Sequence, residues 1–173
     1  EKDPRVRAKN TDVDFPLNDE YKDIIPEMLK HLRYSQIEKL SKKYDLRPGM
    51  GLAAPQLGIN KNFFVVCYEV KDGVFDDYIL INPKVISYSE EMIYAGEGEG
   101  CLSVNREVEG IVPRHARITV EAYDLDGNKR KYRVREDLAI AFQHELDHLN
   151  GILFVDYIDP KNPYKNAELY REI

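Results

Sequence analysis

Apolar residues recur at helical spacing in the first third of the chain. Over Ile24–Tyr44 they stand three to five positions apart, which is typical of an amphipathic helix. The positions concerned are Ile25, Met28, Leu29, Leu32, Ile37 and Leu40. Because proline is tolerated only in the first turn of a helix, Pro26 predicts that the helix begins near it, and Pro48 and Gly49 end the region. Residues 1–20 show no strong periodicity and are predicted to form an extended arm.

Short runs of β-branched and aromatic residues follow this helix. Phe63–Val70 predicts a buried strand. Ala116–Asp124 alternates between apolar and polar positions, which predicts a half-buried strand. Asp126-Gly127-Asn128 predicts a hairpin turn into the strand Lys129–Arg135. Two further strands are predicted on either side of an interruption at Asn82-Pro83: Tyr78–Ile81 and Lys84–Ser87.

A second helix is predicted over Glu136–Leu149, with Gly151 as its C-terminal cap. Its inward stripe is mostly apolar but contains the carboxylate of Glu145. Lys165–Ile173 are predicted to form a further short helix. The order of a helix, several antiparallel strands and a helix predicts an α+β fold rather than alternating βαβ units.

Length and charge restrict the range of functions. The 173 residues are 43% hydrophobic and 32% charged, which fits one globular domain over residues 1–173. The net charge of -6, with both signs interspersed, lacks the basic footprint of a nucleic-acid binder. The basic run Lys129–Arg135 is interpreted as a solvated strand face, with the docking of an anionic partner as the alternative. No apolar run reaches the roughly 18 residues of a transmembrane helix, so no membrane contact is expected.

The two cysteines are interpreted as having different roles. Cys67 lies in an apolar run and is assigned to the core, whereas Cys101 stands among glycines and is interpreted as reactive. This usage fits a reducing compartment. No signal peptide is visible. Because the chain starts at Glu1 rather than Met, removal of an N-terminal targeting segment stays open.

The strongest chemical signal is His144-Glu145-Leu146-Asp147-His148 on the second helix. Residues four apart lie on one helical face, so both imidazoles can reach a single ion. The glutamate between them can reach a metal-bound water without ligating the metal. We therefore predict a divalent metal site, against the alternative of two chance histidines on a surface helix.

A catalytic metal site usually has three protein ligands and one open position, so a third ligand is needed. The residue six positions beyond His148 is Phe154, which cannot ligate. Glu168 stands about twenty residues downstream, at the spacing used by one class of metallopeptidase. Cys101 is the upstream candidate, because its neighbouring glycines allow close approach and a thiolate is a strong donor. The residues alone leave both candidates open.

Three segments together resemble the motifs of the peptide deformylase family. Gly49-Met50-Gly51-Leu52-Ala53-Ala54-Pro55-Gln56 is similar to the family's first motif, Glu99-Gly100-Cys101-Leu102-Ser103 to the second, and His144–His148 to the third. Their order and approximate spacing also match, and the resemblance runs over Ile24–Ile158. It implies antiparallel β-sheets around a central metal-binding helix, in a single catalytic domain with an N-terminal helix.

The resemblance also implies the chemistry and its residues. The family removes the formyl group from the N-terminal formyl-methionine of new polypeptides and releases formate. One divalent ion per chain, Fe²⁺ natively with Zn²⁺, Co²⁺ or Ni²⁺ as substitutes, would be held by Cys101, His144 and His148. A metal-bound water would attack the formyl carbon with Glu145 as general base and acid, and Gln56 and the Leu102 N–H would stabilise the oxyanion. Apart from the resemblance, we expect Met50, Gly51, Gly100, Ile140 and Ala141 to bind substrate, with a plain core role as the alternative for Met50, Ile140 and Ala141.

Two features depart from the commonest family pattern. Asn105 stands where many relatives have proline, and Ser35–Pro48 resembles an insertion seen in one subgroup. The expected partners are a formylated nascent peptide and the ribosome, without a direct nucleic-acid site. The expected location is a bacterial cytoplasm or a bacterial-type organelle (plastid or mitochondrion). The alternative functions are a zinc metallopeptidase using His144, His148 and Glu168, and a non-enzymatic metal-storing or ribosome-associated binding module.

Overall fold

Two β-sheets and three helices make up the fold, described over residues 1–173 by a computed structural model. The larger sheet has five antiparallel strands in the order β1-β2-β3-β6-β7. These are β1 (Gly51–Ala53), β2 (Phe63–Lys71), β3 (Val74–Tyr88), β6 (Arg117–Tyr123) and β7 (Lys129–Arg135). The smaller sheet has the order β5-β4-β8, from β4 (Met92–Tyr94), β5 (Arg114–His115) and β8 (Arg171–Glu172). The predicted α+β class is confirmed.

The N-terminal helical region begins earlier than predicted and is divided in two. α1 spans Asp19–Gln36 and α2 spans Glu38–Lys43. The side chain of Asn18 accepts a hydrogen bond from the backbone N–H of Glu20 and so caps the helix, about two turns before Pro26. The prediction that the helix begins near Pro26 is therefore wrong, since the proline lies inside it.

The larger sheet is packed on both faces, because alternate residues of β2 point in opposite directions. Phe63, Val65 and Cys67 form one core cluster with α1, and Cys67 is fully buried, as predicted. Phe64 and Val66 lie in a second cluster with α3 (Glu136–Leu149). The metal-binding helix predicted from sequence is thus fixed against the sheet by its apolar side.

β3 continues through the predicted interruption at Asn82-Pro83. Asn82 adopts a φ of 51°, and the pairing with β6 becomes irregular there without ending. The Asn82 side chain accepts from the N–H of Val13 at 2.7 Å and donates to the Val13 carbonyl at 2.9 Å. Contacts with the N-terminal arm therefore stabilise a backbone conformation that the sequence suggested would break the strand.

The N-terminal arm is attached along its length to the body of the protein. It contains a short 3-10 helix over Pro4–Val6 and a single bridge from Thr11 to Lys61, and its Val6, Val13 and Leu17 are buried. The extended arm predicted for residues 1–20 is thus only partly extended, and α1 already begins at its end.

The helix predicted for Lys165–Ile173 is wrong. These residues form a 3-10 turn over Ala167–Leu169 and then β8, which runs parallel to β4. Backbone hydrogen bonds join Ile173 to Tyr94 and Gly96, and Arg171 binds the carboxylates of Glu91 and Glu136. These long-range partners outweigh a weak local preference for helix. No helix of the structure has the length and apolar character that a membrane span requires.

Candidate active site and metal centre

Three potential metal ligands converge between α3 and the loop that joins β4 to β5. The ligand atoms of Cys101, His144 and His148 all lie within 4.8 Å of one another. Cys101 Sγ is 3.3 Å from His148 Nε2, and the two imidazole centroids are 5.0 Å apart. Glu168, the other candidate for third ligand, is exposed in the C-terminal 3-10 turn and is not in this group.

A buried chain of charged groups orients one of the histidines. His144 Nδ1 lies 3.0 Å from Glu99 Oε1. Arg114 donates to both oxygens of Glu99, at 2.8 and 2.9 Å, and to Asp147 at 2.5 Å. Tyr157 Oη donates to the same Asp147 carboxylate at 2.8 Å. Fixing Nδ1 in this way leaves Nε2 of His144 as the nitrogen available for ligation.

Electrostatic effects differ sharply between the two histidines. Burial lowers the pKa of His148 to about 3, which keeps this imidazole neutral and able to ligate at neutral pH. Burial also disfavours a charge on His144, but contacts with the sulfur of Cys101 and with Glu99 raise its pKa to about 10. For Glu99, burial opposes ionisation, but hydrogen bonds from Arg114 and His144 lower its pKa below the usual value. The surroundings of His144 thus favour a positive charge.

Glu145 is a buried carboxyl group without a hydrogen-bond partner in the protein. It is 2% exposed, and Oε1 has no hydrogen-bond partner. Burial raises its pKa to about 7, against the opposing effects of His144 and Arg114. Gly51 allows this position, because a Cβ on Gly51 would lie 2.7 Å from Glu145 Oε2. A buried carboxyl with an unpaired oxygen suits proton transfer with a small bound molecule.

The predicted oxyanion donors lie beside the cysteine. Gln56 accepts a hydrogen bond from the N–H of Ala53 at 2.9 Å, which orients its amide. Its Nε2 donates to Ser103 Oγ at 3.1 Å and lies 3.8 Å from Cys101 Sγ. The backbone N–H of Leu102 makes no hydrogen bond within the protein. The long contact to sulfur and this unpaired N–H leave two donors for a ligand.

Comparison with known proteins agrees with this geometry. A sequence profile described as polypeptide deformylase matches residues 1–164. The chain belongs to the peptide deformylase family. A peptide deformylase from Macrococcus caseolyticus is 50% identical over 163 residues, covering 94% of this chain and 89% of the relative. One from Oceanobacillus iheyensis is 46% identical over 165 residues, covering 95% and 90%.

Solved structures support the same assignment. The crystal structure of a probable peptide deformylase from Synechococcus phage S-SSM7 has a TM-score of 0.71 and 35% identity, covering 90% of this chain and 95% of the phage protein. The chain is therefore an enzyme, an amidohydrolase of the deformylase class, as the three motifs indicated.

The deformylase motifs border one cavity of about 380 Å³. All five further residues predicted to bind substrate line it, together with the two predicted oxyanion donors. The former are Met50, Gly51, Gly100, Ile140 and Ala141. Glu145 and two of the three potential ligands, Cys101 and His144, also reach its wall. The spacing of the motifs in sequence thus predicted a spatial cluster.

Two residues important to the deformylase site were not predicted. Arg114 is 2% exposed and connects Glu99 to Asp147, but nothing in the local sequence distinguishes it from other arginines. Arg47 belongs to the Ser35–Pro48 segment and donates to the carbonyls of Cys101 and Val104, at 2.8 and 2.9 Å. It also binds the Asn105 side chain at 3.2 Å. The Ser35–Pro48 segment therefore holds the loop that carries the cysteine.

Proposed function

We propose that this chain is a metal-dependent hydrolase that removes the N-formyl group from the formyl-methionine at the start of newly made polypeptides, releasing formate. The observation that carries the proposal is the convergence of Cys101, His144 and His148 beside the unpaired carboxyl oxygen of Glu145. Membership of the deformylase family supplies the reaction class. The exposed position of Glu168 leaves the metallopeptidase alternative without its third ligand.

The residues present fit one divalent metal ion. A sulfur and two imidazole nitrogens within 4.8 Å form a donor set that several transition metals accept. The unpaired oxygen of Glu145 lies in the same buried region, where an uncompensated polar atom is costly. We propose Fe²⁺ as the native ion, on the basis of the family resemblance, with Zn²⁺, Co²⁺ and Ni²⁺ able to occupy the same ligands.

In the proposed reaction, the bound ion would polarise the formyl carbonyl and make water more acidic. Glu145 accepts the proton of the attacking water at Oε1 and later delivers it to the departing amine. The Gln56 amide and the Leu102 N–H donate to the oxygen that becomes negatively charged. Preorganised donors of this kind typically contribute a factor of about 10²–10³ in rate each.

The shape of the cavity suits an apolar side chain followed by an extended backbone. Met50, Ile140 and Ala141 provide apolar wall. β1 is an edge strand, because it pairs only with β2. A substrate peptide can therefore pair with the open side of Gly49–Gly51 as an added strand. We propose that this edge binds the first residues of the nascent chain, with the formyl group directed at Glu145.

The proposed partners are the formylated nascent peptide and the ribosome that produces it, and the proposed setting is a bacterial cytoplasm. The named relatives from Macrococcus caseolyticus and Oceanobacillus iheyensis support a bacterial origin. We further propose that residues 1–173 act as a single catalytic domain. The deformylase profile covers nearly all of them, and residues from all three motifs line one cavity.

The test is formate release by anaerobically purified protein from formyl-Met-Ala-Ser, compared with cleavage of unformylated Met-Ala-Ser. We expect only the formylated peptide to react. Glu145→Gln should keep the metal but lose about 10²–10⁴ in kcat, since it removes the proton-transfer group. Glu168→Gln is the matched control and should retain full activity and metal. Cleavage of the unformylated peptide, or an active Glu145→Gln protein, would overturn the proposal.

A further inference from the structure

The outer face of β6 and β7 carries five cations that lie away from the active-site cavity. We refer to Arg117, Lys129, Lys131, Arg133 and Arg135 as the basic face, and all five are exposed. The intervening Tyr132 and Val134 point the other way and pack in the core cluster of α3. On the same side of the sheet as the basic face, α1 packs against the β1–β3 half. The basic face is therefore the part of this sheet surface that α1 leaves open to solvent.

The cations lie in rows across the two strands. Arg135 is directly opposite Arg117, Arg133 opposite Thr119, and Lys131 opposite Glu121. Along β7 they recur at every second position over seven residues, so the array is about 20 Å long with steps of about 7 Å. Such spacing presents a line of positive charges to solvent rather than a single point.

Few of these charges are neutralised within the protein. Glu121 pairs with Lys129, at 3.2 Å, and Glu91 pairs with Arg117, at 3.2 Å. Lys131, Arg133 and Arg135 form no salt bridge. Although the whole chain has a net charge of -6, the fold concentrates unpaired positive charge here. Overall composition, from which no nucleic-acid site is predicted, does not reveal this local excess of positive charge.

A groove of about 400 Å³ crosses the basic face and is suited to an anion. Three arginines line it, Arg117, Arg133 and Arg135, together with the hydroxyl-bearing Ser87 and Thr119, and no carboxylate does so. Guanidinium groups bind phosphate through paired N–H donors, and hydroxyl groups can add further hydrogen bonds. The groove shares no residue with the active-site cavity.

Protection of an edge strand explains only part of this arrangement. Exposed edge strands often carry charged side chains that prevent aggregation, and β7 is an edge strand. However, that function does not require like charges on neighbouring strands. Arg117 lies opposite Arg135, a like-charge repulsion that Glu91 offsets on one side only, through its pair with Arg117. An anion bound between them would remove that repulsion.

We propose that the basic face binds the phosphodiester backbone of RNA. The linear array and the arginine-lined groove carry the inference of a polyanion. The choice of RNA rests on the proposed function, since an enzyme that acts on newly made polypeptides works beside ribosomal RNA. A lipid surface fits less well, because membrane-binding faces combine basic with several inserting apolar side chains. Here Tyr88 is the one exposed apolar side chain that lines the groove, beside the hydroxyl groups of Ser87 and Thr119.

The test measures binding of a fluorescent single-stranded oligouridylate of about 12 nucleotides by anisotropy over a series of salt concentrations. With three or four phosphate contacts, log affinity should fall with log salt at a slope of about -2 to -3. Arg133→Gln/Arg135→Gln should reduce that slope by about 1.4 and weaken binding at low salt by about tenfold or more. Lys39→Gln/Lys71→Gln, two exposed lysines elsewhere with the same charge change, should leave binding within about twofold.

Two further measurements separate binding from folding and catalysis. Because the double arginine variant removes a like-charge pair, its unfolding midpoint should not fall. Formate release from formyl-Met-Ala-Ser should be unchanged in both double variants, so a failure of the proposed activity would be visible separately. Absence of RNA binding, or equal binding by the arginine variant and the wild type, would overturn the proposal. Tighter arginine-dependent binding to polyglutamate, or to vesicles of phosphatidylcholine and phosphatidylglycerol, would also overturn it.

Discussion

Replacing Gly51 by alanine gives a test of how the active-site carboxylate is held. The added Cβ would lie 2.7 Å from Glu145 Oε2 and 2.8 Å from both Cδ and Cγ. Carbon atoms pack best at about 3.5–4.0 Å, so the glutamate or β1 must move by about 1 Å. The backbone at Gly51 is not in the left-handed region, and the three atoms nearest to the added Cβ all belong to Glu145.

The expected loss follows from the size of that displacement. Overpacking of this kind typically lowers the free energy of unfolding by about 1–3 kcal/mol. A displacement of about 1 Å at a reacting group can cost about 10² in rate. We expect Gly51→Ala to show both effects, measured by urea unfolding and by formate release from formyl-Met-Ala-Ser at fixed metal content.

A double-mutant cycle identifies the cause. Glu145→Ala removes all three atoms that meet the new Cβ. In that background Gly51→Ala should raise the free energy of unfolding by about 0.4–1 kcal/mol, because alanine restricts the unfolded chain more than glycine does. The effect of the same substitution should thus change sign with the residue at position 145. An equal loss of stability in both backgrounds would refute the reasoning.

Three further substitutions test the proposed metal ligands and their surroundings. Cys101→Ser should lose most of the bound metal in elemental analysis. Cys67→Ser is the control: it should keep the metal but lose about 1–3 kcal/mol of unfolding free energy, because it buries a hydroxyl group. Equal metal content in the two variants would contradict the ligand assignment. Arg114→Met should lower the free energy of unfolding by about 3–5 kcal/mol, because it leaves the buried side chain of Glu99 and the half-buried Asp147 without their cation. A smaller loss than in the exposed-pair variant Arg33→Met would contradict this. Arg47→Met should speed metal transfer to a chelator without loss of the folded state, because the Cys101 loop loses its charged donors; an unchanged transfer rate would show that the loop is held by other contacts.

Local pattern was sufficient for the elements whose stability comes from their own neighbours in sequence. The apolar stripe of the second helix predicted Glu136–Leu149, which are the observed bounds of α3. The turn at Asp126-Gly127-Asn128 predicted the β6–β7 hairpin, where Asp124 Oδ1 accepts from two backbone N–H groups of the turn. In both cases the interactions that form the element join residues close together in the chain.

The errors occur where distant residues decide the structure. The last residues become a strand because β4 offers a parallel edge, and β4 is some eighty positions away in sequence. The start of α1 was missed for a different reason, since the capping signal at Asn18 is local but was outweighed by the presence of Pro26. A proline removes one helical hydrogen bond, and burial of Ile25 and Met28 on the sheet stabilises the helix despite that loss.

The site was predictable as far as its motifs extend and no further. Cys101, His144 and His148 stand in recognisable motifs, so their convergence followed from the resemblance. Arg114 and Arg47 act through contacts across 15 to 58 sequence positions and stand in no motif. The sequence did contain one sign of a buried cation such as Arg114, because Glu99 and Asp147 lie inside two of the motifs without an assigned role. Two carboxylates near one buried site imply a cation between them.

Arg114, the buried cation between Glu99 and Asp147, is better explained by the geometry of the site than by the stability of the fold. A buried set of charges is often no more stabilising than apolar residues of the same volume, so Glu99, Arg114 and Asp147 are poorly explained as a source of stability. Their arrangement instead determines which nitrogen of His144 faces Cys101. The repulsion between Arg117 and Arg135 is likewise unexplained by folding. At both places the fold holds charged groups beside a position where an external charge would bind, a metal ion in one case and a phosphate in the other.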